Sequence, residues 1–175
     1  GTATTTTYTT NAGCTTFAVG GAQVVNPVTR RGNDIPLSLE FQLESAVAAN
    51  GGAWQPGDLI LIDAGSNDAA GPADTFLAAR GSGADQAIFL ALLRQQLDAS
   101  AITQALAQPD GESVAAGLYM QRLAQTFWNT VKANTLDKGA TRLALVEVPD
   151  LTLTPRFRDI PAGLSTARSP GGAAA

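Results

Sequence analysis

The sequence predicts an α/β domain built on a parallel sheet, and three stretches carry that expectation. Leu59-Ile60-Leu61-Ile62 is a run of branched apolar residues, the pattern of a strand buried on both faces. Residues 141–149, Thr-Arg-Leu-Ala-Leu-Val-Glu-Val-Pro, make a second such run. Between them, a helical stretch from about Glu112 to Leu136 carries Met120, Leu123, Ala124, Phe127, Trp128 and Val131 as one apolar stripe at i, i+3 and i+4 spacing. Strand, long helix, strand is a crossover unit, and such a unit joins parallel strands. A chain of 175 residues suits a single domain over 1–175.

Taken in order, residues 1–16 are rich in Thr and small residues. This is extended or irregular chain, with an edge strand possible because Thr is β-branched. Phe17-Ala18-Val19-Gly20-Gly21-Ala22 runs apolar residues into paired glycines, a strand end or tight turn whose N–H groups can face an anion. Residues 23–35 read as a loop, punctuated by Asn26-Pro27 and Gly32-Asn33-Asp34. Pro36 to Asn50 reads as a helix, with Leu39, Leu43 and Val47 on one face and Gly51-Gly52 as its stop. Pro56-Gly57-Asp58 is a turn into the first strand. After that strand, residues 69–84 contain three Gly and one Pro and read as a loop. Residues 85–107 read as one helix, and Pro109-Asp110-Gly111 breaks it. Lys138-Gly139 stops the long helix. Asp150 follows the second strand, and residues 152–175 read as loop and flexible connection.

Composition narrows the function classes. Hydrophobic residues make up 45% and charged residues 15% of the chain, enough apolar content for a core. The net charge is −4 with no block of like charges, so no basic footprint for nucleic acid or an anionic membrane is present. No apolar run approaches the ~20 residues of a membrane span. Gly1 is not an initiating Met, which reads as a processed or trimmed start. There is no His and one Cys. A Ser-His-Asp triad cannot be completed within these residues, and the His/Cys zinc sites are excluded. Cys14 is either a buried thiol or half of a disulfide whose partner lies outside the 175 residues, and its polar, loop-like surroundings lean toward the disulfide.

The candidate site lies at Ala64-Gly65-Ser66-Asn67-Asp68, where the first strand ends. Open α/β sheets bind ligands just past the carboxyl ends of their strands. An Asn amide there can donate to a developing negative oxygen. Gly, Ser, Asn and Asp are also ordinary turn formers. Asp63, Asp68 and Asp150 at neighbouring strand ends are a further arrangement to consider, since carboxylates suit hard cations.

Phe-Ala-Val-Gly-Gly-Ala at 17–22 followed by Gly-Ser-Asn-Asp at 65–68 resembles the second and third blocks of the SGNH/GDSL hydrolases, serine esterases and lipases. Val146 to Pro155 is similar to secreted bacterial members, and the likeness covers about residues 14–158. The resemblance implies a three-layer α/β/α, flavodoxin-like fold, incomplete in this chain. It implies a carboxylic ester hydrolase acting on a small-molecule or lipid ester, with no cofactor and no metal. Gly20 would supply a backbone N–H and Asn67 a side-chain amide to the oxyanion hole, while Asp68 would orient the turn. A secreted, cell-surface or periplasmic location is implied as well. Two blocks of the family are missing: Gly-Asp-Ser with the nucleophile, and Asp-x-x-His. Thr16 stands where the second block has Asn. The chain therefore resembles the middle of such an enzyme, inactive by itself. The alternative is a binding module that kept the fold and lost the triad.

Overall fold

The computed structural model describes residues 13–25, 37–79, 83–150 and 153. The expectations for residues 1–12, 26–36 and 154–175 lie outside them. The first helix, α1 (Leu39–Ala49), starts where Ser38 Oγ accepts the Phe41 N–H at 3.2 Å. This satisfies one of the donors that a helix start leaves open. It stops at Asn50, where the Gly52 N–H reaches back to the Val47 carbonyl at 2.8 Å. Gly51 and Gly52 have φ of 77° and 93°, a region that costs other residues a clash at Cβ. Asp58 then holds the turn into the sheet. Its Oδ2 accepts from the Gln55 N–H at 2.8 Å and from Asn50 Nδ2 at 2.7 Å.

Strand β1 (Ile60–Asp63) pairs with β2 (Leu143–Val146) in parallel, with Ile60 opposite Leu143 and Asp63 opposite Val146. Parallel pairing requires a crossover, and here it consists of four helices: α2 (Ser66–Ala79), α3 (Gly83–Leu93), α4 (Ala99–Leu106) and α5 (Gly111–Asn134). The fold is therefore mixed α/β, with a two-stranded parallel sheet among the described residues.

The sheet is covered on one face. Ile60 and Ile62 are 6% and 4% exposed, packed with Leu39 and Leu43 of α1 and Val131 of α5. Leu59 and Leu61, pointing the other way, are 64% and 69% exposed. The apolar run thus does not mark a strand buried on both faces in this structure, because α1 and α5 lie on the same side and no described element covers the other. A second core fills the space among α3, α4 and α5, around Phe89, Leu93, Ile102, Ala115, Tyr119 and Leu123. Phe127 packs against both clusters, so α5 is the member they share.

Three elements differ from the sequence expectation. Residues 69–79 continue α2 rather than forming a loop, with Pro72 inside the helix. Pro72 removes one helical hydrogen bond, but it is buried, and Phe76 meets Phe89 edge-on with ring centroids 6.0 Å apart. Packing overrides the local propensity there. Residues 85–107 are two helices, because Asp98 caps a new start, its Oδ1 accepting the Ala101 N–H at 2.8 Å. On α5 the buried line is Ala115, Tyr119, Leu123 and Val131, with Phe127 half-buried. Met120, Ala124 and Trp128, one residue further round, are exposed.

The end of α5 is tied to both strands. Trp54 Nε1 donates to the Asn134 carbonyl at 2.8 Å, and the Trp54 N–H donates to the Lys138 carbonyl at 2.9 Å. Thr135, fully buried, donates its hydroxyl to the Val131 carbonyl at 2.7 Å. Leu123→Ala is expected to destabilise the chain by about 2–5 kcal/mol, whereas Met120→Ala should stay within about 0.5 kcal/mol. Urea unfolding of the two variants checks which face of α5 is the core.

Candidate functional site

Strand β1 delivers the chain to Gly65, whose φ is 102°. A Cβ at that position would lie 3.0 Å from Val148 Cγ2. The backbone conformation favours glycine, and a Cβ would press on the Val148 side chain. The turn feeds directly into α2, whose first residues are Ser66, Asn67 and Asp68. The Ala69 N–H closes the first turn on the Gly65 carbonyl at 2.9 Å. Asn67 and Asp68 thus stand just past the carboxyl end of a parallel strand and at a helix N-terminus, where the peptide dipoles favour negative charge.

Both side chains reach the segment 22–24, more than forty residues earlier. Asn67 Nδ2 donates to the Ala22 carbonyl at 2.9 Å. Both Asp68 oxygens accept the Val24 N–H, each at 3.0 Å. That segment is held from its other side too. The Gln23 N–H donates to the Leu37 carbonyl at 3.0 Å, and the Leu39 N–H donates to the Gln23 carbonyl at 2.9 Å. Between these anchors and Val19 sits the glycine turn, closed by the Ala22 N–H on the Val19 carbonyl at 3.3 Å, with Gly21 at φ 80°.

Gly20 and Asn67, both exposed, line one cavity of about 320 Å³, together with Val19, Gly21, Asp63 and Ser66. The structure therefore brings together the two residues singled out for oxyanion binding. An amide nitrogen carries two N–H bonds. The Ala22 carbonyl takes one from Asn67 and fixes the amide plane, and the other has no acceptor among the described residues. Among the described residues the Gly20 and Gly21 N–H groups have no acceptor. The cavity rim thus offers fixed neutral donors, the arrangement that stabilises a developing oxyanion without reorganisation.

Asp68 is 3% exposed. Burial pushes its carboxyl above the ordinary aspartate value, against the pull of the Val24 N–H and of its own backbone N–H. Tyr119 of α5 is pushed up to about 12 by burial and by the negative charge of Asp68. The three strand-end carboxylates do not form a cation cage. Asp68 is turned onto Val24, Asp63 and Asp150 are exposed, and no group of three or more His, Cys, Asp or Glu among the described residues could hold a metal ion. Cys14 is not a buried thiol but an exposed free one near the Thr16 carbonyl, 3.8 Å away.

A larger cavity of about 720 Å³ adjoins the first. It is bounded by residues 13–18, by α1 and by β1, with no residue of β2. Both inward- and outward-pointing residues of β1 line it, so it runs along the edge of that strand that has no partner among the described residues. Ala18, Leu39, Gln42 and Asp63 belong to both cavities. Sequence reasoning missed the grip of Asp68 on Val24 and the presence of Tyr119 beside it. The first is a side chain to backbone contact without a local pattern. The second could have been found from the Ala115-Tyr119-Leu123 spacing.

No family model matches the chain, and neither a curated protein nor a solved structure matches it. The geometry of Gly65 supports a direct test. Gly65→Ala is expected to cost about 1–2 kcal/mol from the left-handed backbone alone, read by urea unfolding. Adding Val148→Ala should relieve only the side-chain contact, so the double variant stays less stable than Val148→Ala alone.

Proposed function

We propose that this chain is the oxyanion-binding part of a carboxylic ester hydrolase, carried within a longer protein that supplies a serine nucleophile and a histidine base. The observation that carries the reading is the cavity at the end of β1, lined by Asn67 and Gly20, whose second amide N–H and backbone N–H have no acceptor among the described residues. A serine Oγ adds to the ester carbonyl while a base takes its proton, and the carbonyl oxygen becomes an alkoxide. Asn67 and Gly20 donate to that oxygen. The alkoxide's electron pair then re-forms the carbonyl, the scissile C–O bond breaks with its electrons on the leaving oxygen, and the protonated base gives that oxygen its proton to release the alcohol. Water then repeats the sequence on the acyl-enzyme, releasing the acid.

Two features outside the donors support the same reading. The larger cavity follows the free edge of β1 and runs into the smaller one. A further strand paired parallel to β1 would end between Gly20 and Asn67, where a nucleophile is needed. The uncovered face of the sheet, with Leu59, Leu61, Val146 and Val148 exposed by 38% or more, suits a third layer of helices from the rest of such a protein. The SGNH/GDSL resemblance of residues 17–22 and 65–68 joins these features in a three-layer, flavodoxin-like enzyme of a secreted type.

A second reading, a ligand-binding module of the same fold, is favoured by the absence of any His. Hydrolysis of nitrophenyl acetate separates the two. The 175-residue chain is expected to be inactive. Ser66 lines the cavity but stands beside the donors rather than opposite them, and no Lys or His adjoins it in sequence. A longer chain bearing Gly-Asp-Ser and Asp-x-x-His should turn over the ester, and Asn67→Ala should lower its kcat by ~10²–10³. Turnover by the short chain that is lost in Ser66→Ala overturns the assignment of roles. An inactive longer chain supports the binding module.

A further inference from the structure

Asp68 is an expensive residue at its position. Its carboxylate is taken out of water, and the charge is compensated by N–H groups rather than a cation. The titratable side chain facing it is Tyr119 of α5, itself neutral. The segment 19–25 contributes no titratable side chain, and among the described residues no cation pairs with Asp68. A buried charge of this kind works against stability. What it secures in return is local. Both oxygens converge on the Val24 N–H, and a charge-assisted bond is about twice as strong as a neutral one. The adjacent residue, Asn67, holds Ala22. The two bonds together pin the far end of the Gly20–Gly21 turn to the first turn of α2.

We propose that ionised Asp68 is a positioning residue, a clamp that holds the Gly20–Gly21 turn in register with the Asn67 amide. The proposal rests on the oxyanion reading of Gly20 and Asn67. Asp68 touches no substrate and acts through the backbone of Val24. Because its carboxyl is held above the ordinary value, the folded state binds the proton more tightly than the unfolded one. Global stability then falls as pH rises from the ordinary carboxylate value through the raised one. Acid therefore has two opposite effects: it relieves the buried charge and it loosens the clamp. A residue with only a structural role would move loop order and stability together.

The test is amide hydrogen exchange on the 175-residue chain, followed residue by residue by NMR. Asp68→Asn keeps the shape and one acceptor oxygen but removes the charge. At about pH 7 it is expected to speed exchange at Ala22 and Val24 by roughly tenfold. The α5 amides of Leu123 and Val131 should be unaffected, and the urea midpoint unchanged or higher. Wild type taken to about pH 3 should show the same loop-specific acceleration, beyond the intrinsic pH dependence of exchange, while Asp68→Asn should not. Loss of protection at the loop and α5 together, or an unchanged loop in Asp68→Asn, overturns the clamp. In a longer chain that hydrolyses nitrophenyl acetate, Asp68→Asn should lower kcat with KM kept, and an unchanged kcat overturns the positioning role. If the wild-type longer chain is inactive, the hydrolase reading fails by itself, and the exchange data still decide whether the clamp exists.

Discussion

The structure depends on the burial of Ile60 and Ile62 against Leu39, Leu43 and Val131. That contact seats α1 and α5 on one face of the sheet and sets the direction in which β1 ends. Full burial of side chains of this size is worth roughly 1.5–3 kcal/mol each, more than any single polar contact at the site. Once β1 is seated, its last residue, the Gly65 turn and the start of α2 follow without further choice. The polar contacts then act on a frame that apolar packing has already placed. Trp54 closes the frame at its other end, joining the approach of β1 to the exit of α5 through the Asn134 and Lys138 carbonyls.

The site is assembled from pieces that are distant in sequence. Residues 20–24, the end of β1 and the first turn of α2 converge through hydrogen bonds spanning 44 and 45 residues. Each piece is an ordinary structure by itself: a glycine turn, a strand end, a helix start. On the proposed hydrolase reading, the chemistry would come from N–H groups that have no acceptor among the described residues once the pieces are joined.

Much of this was legible in the sequence where a periodic apolar pattern ran into glycine. Leu59 to Ile62 followed by Gly65, and Leu143 to Val146, marked two strands whose parallel pairing followed from the helices between them. The meeting of Gly20 and Asn67 at one cavity was anticipated as well. The failures were of three physical kinds. Pro72 and Gly71 carry strong local signals for a loop, yet contacts such as Phe76 on Phe89 keep α2 helical. Apolar runs do not say how many layers cover a sheet, so Leu61 looked buried and stands exposed. Two apolar lines one residue apart on α5 look alike in sequence, and only packing chose Tyr119 over Met120. The role of Asp68 was legible only as a turn former, because its partner is a backbone N–H that any residue at Val24 except proline would offer.

Among the described residues, the edge of β1 away from β2 has no partner strand. An open strand edge is a template for any extended segment with free N–H and C=O groups, and natural sheets blunt such edges with charge or proline. Leu59 and Leu61 flank this edge instead, and the net charge of −4 gives weak mutual repulsion.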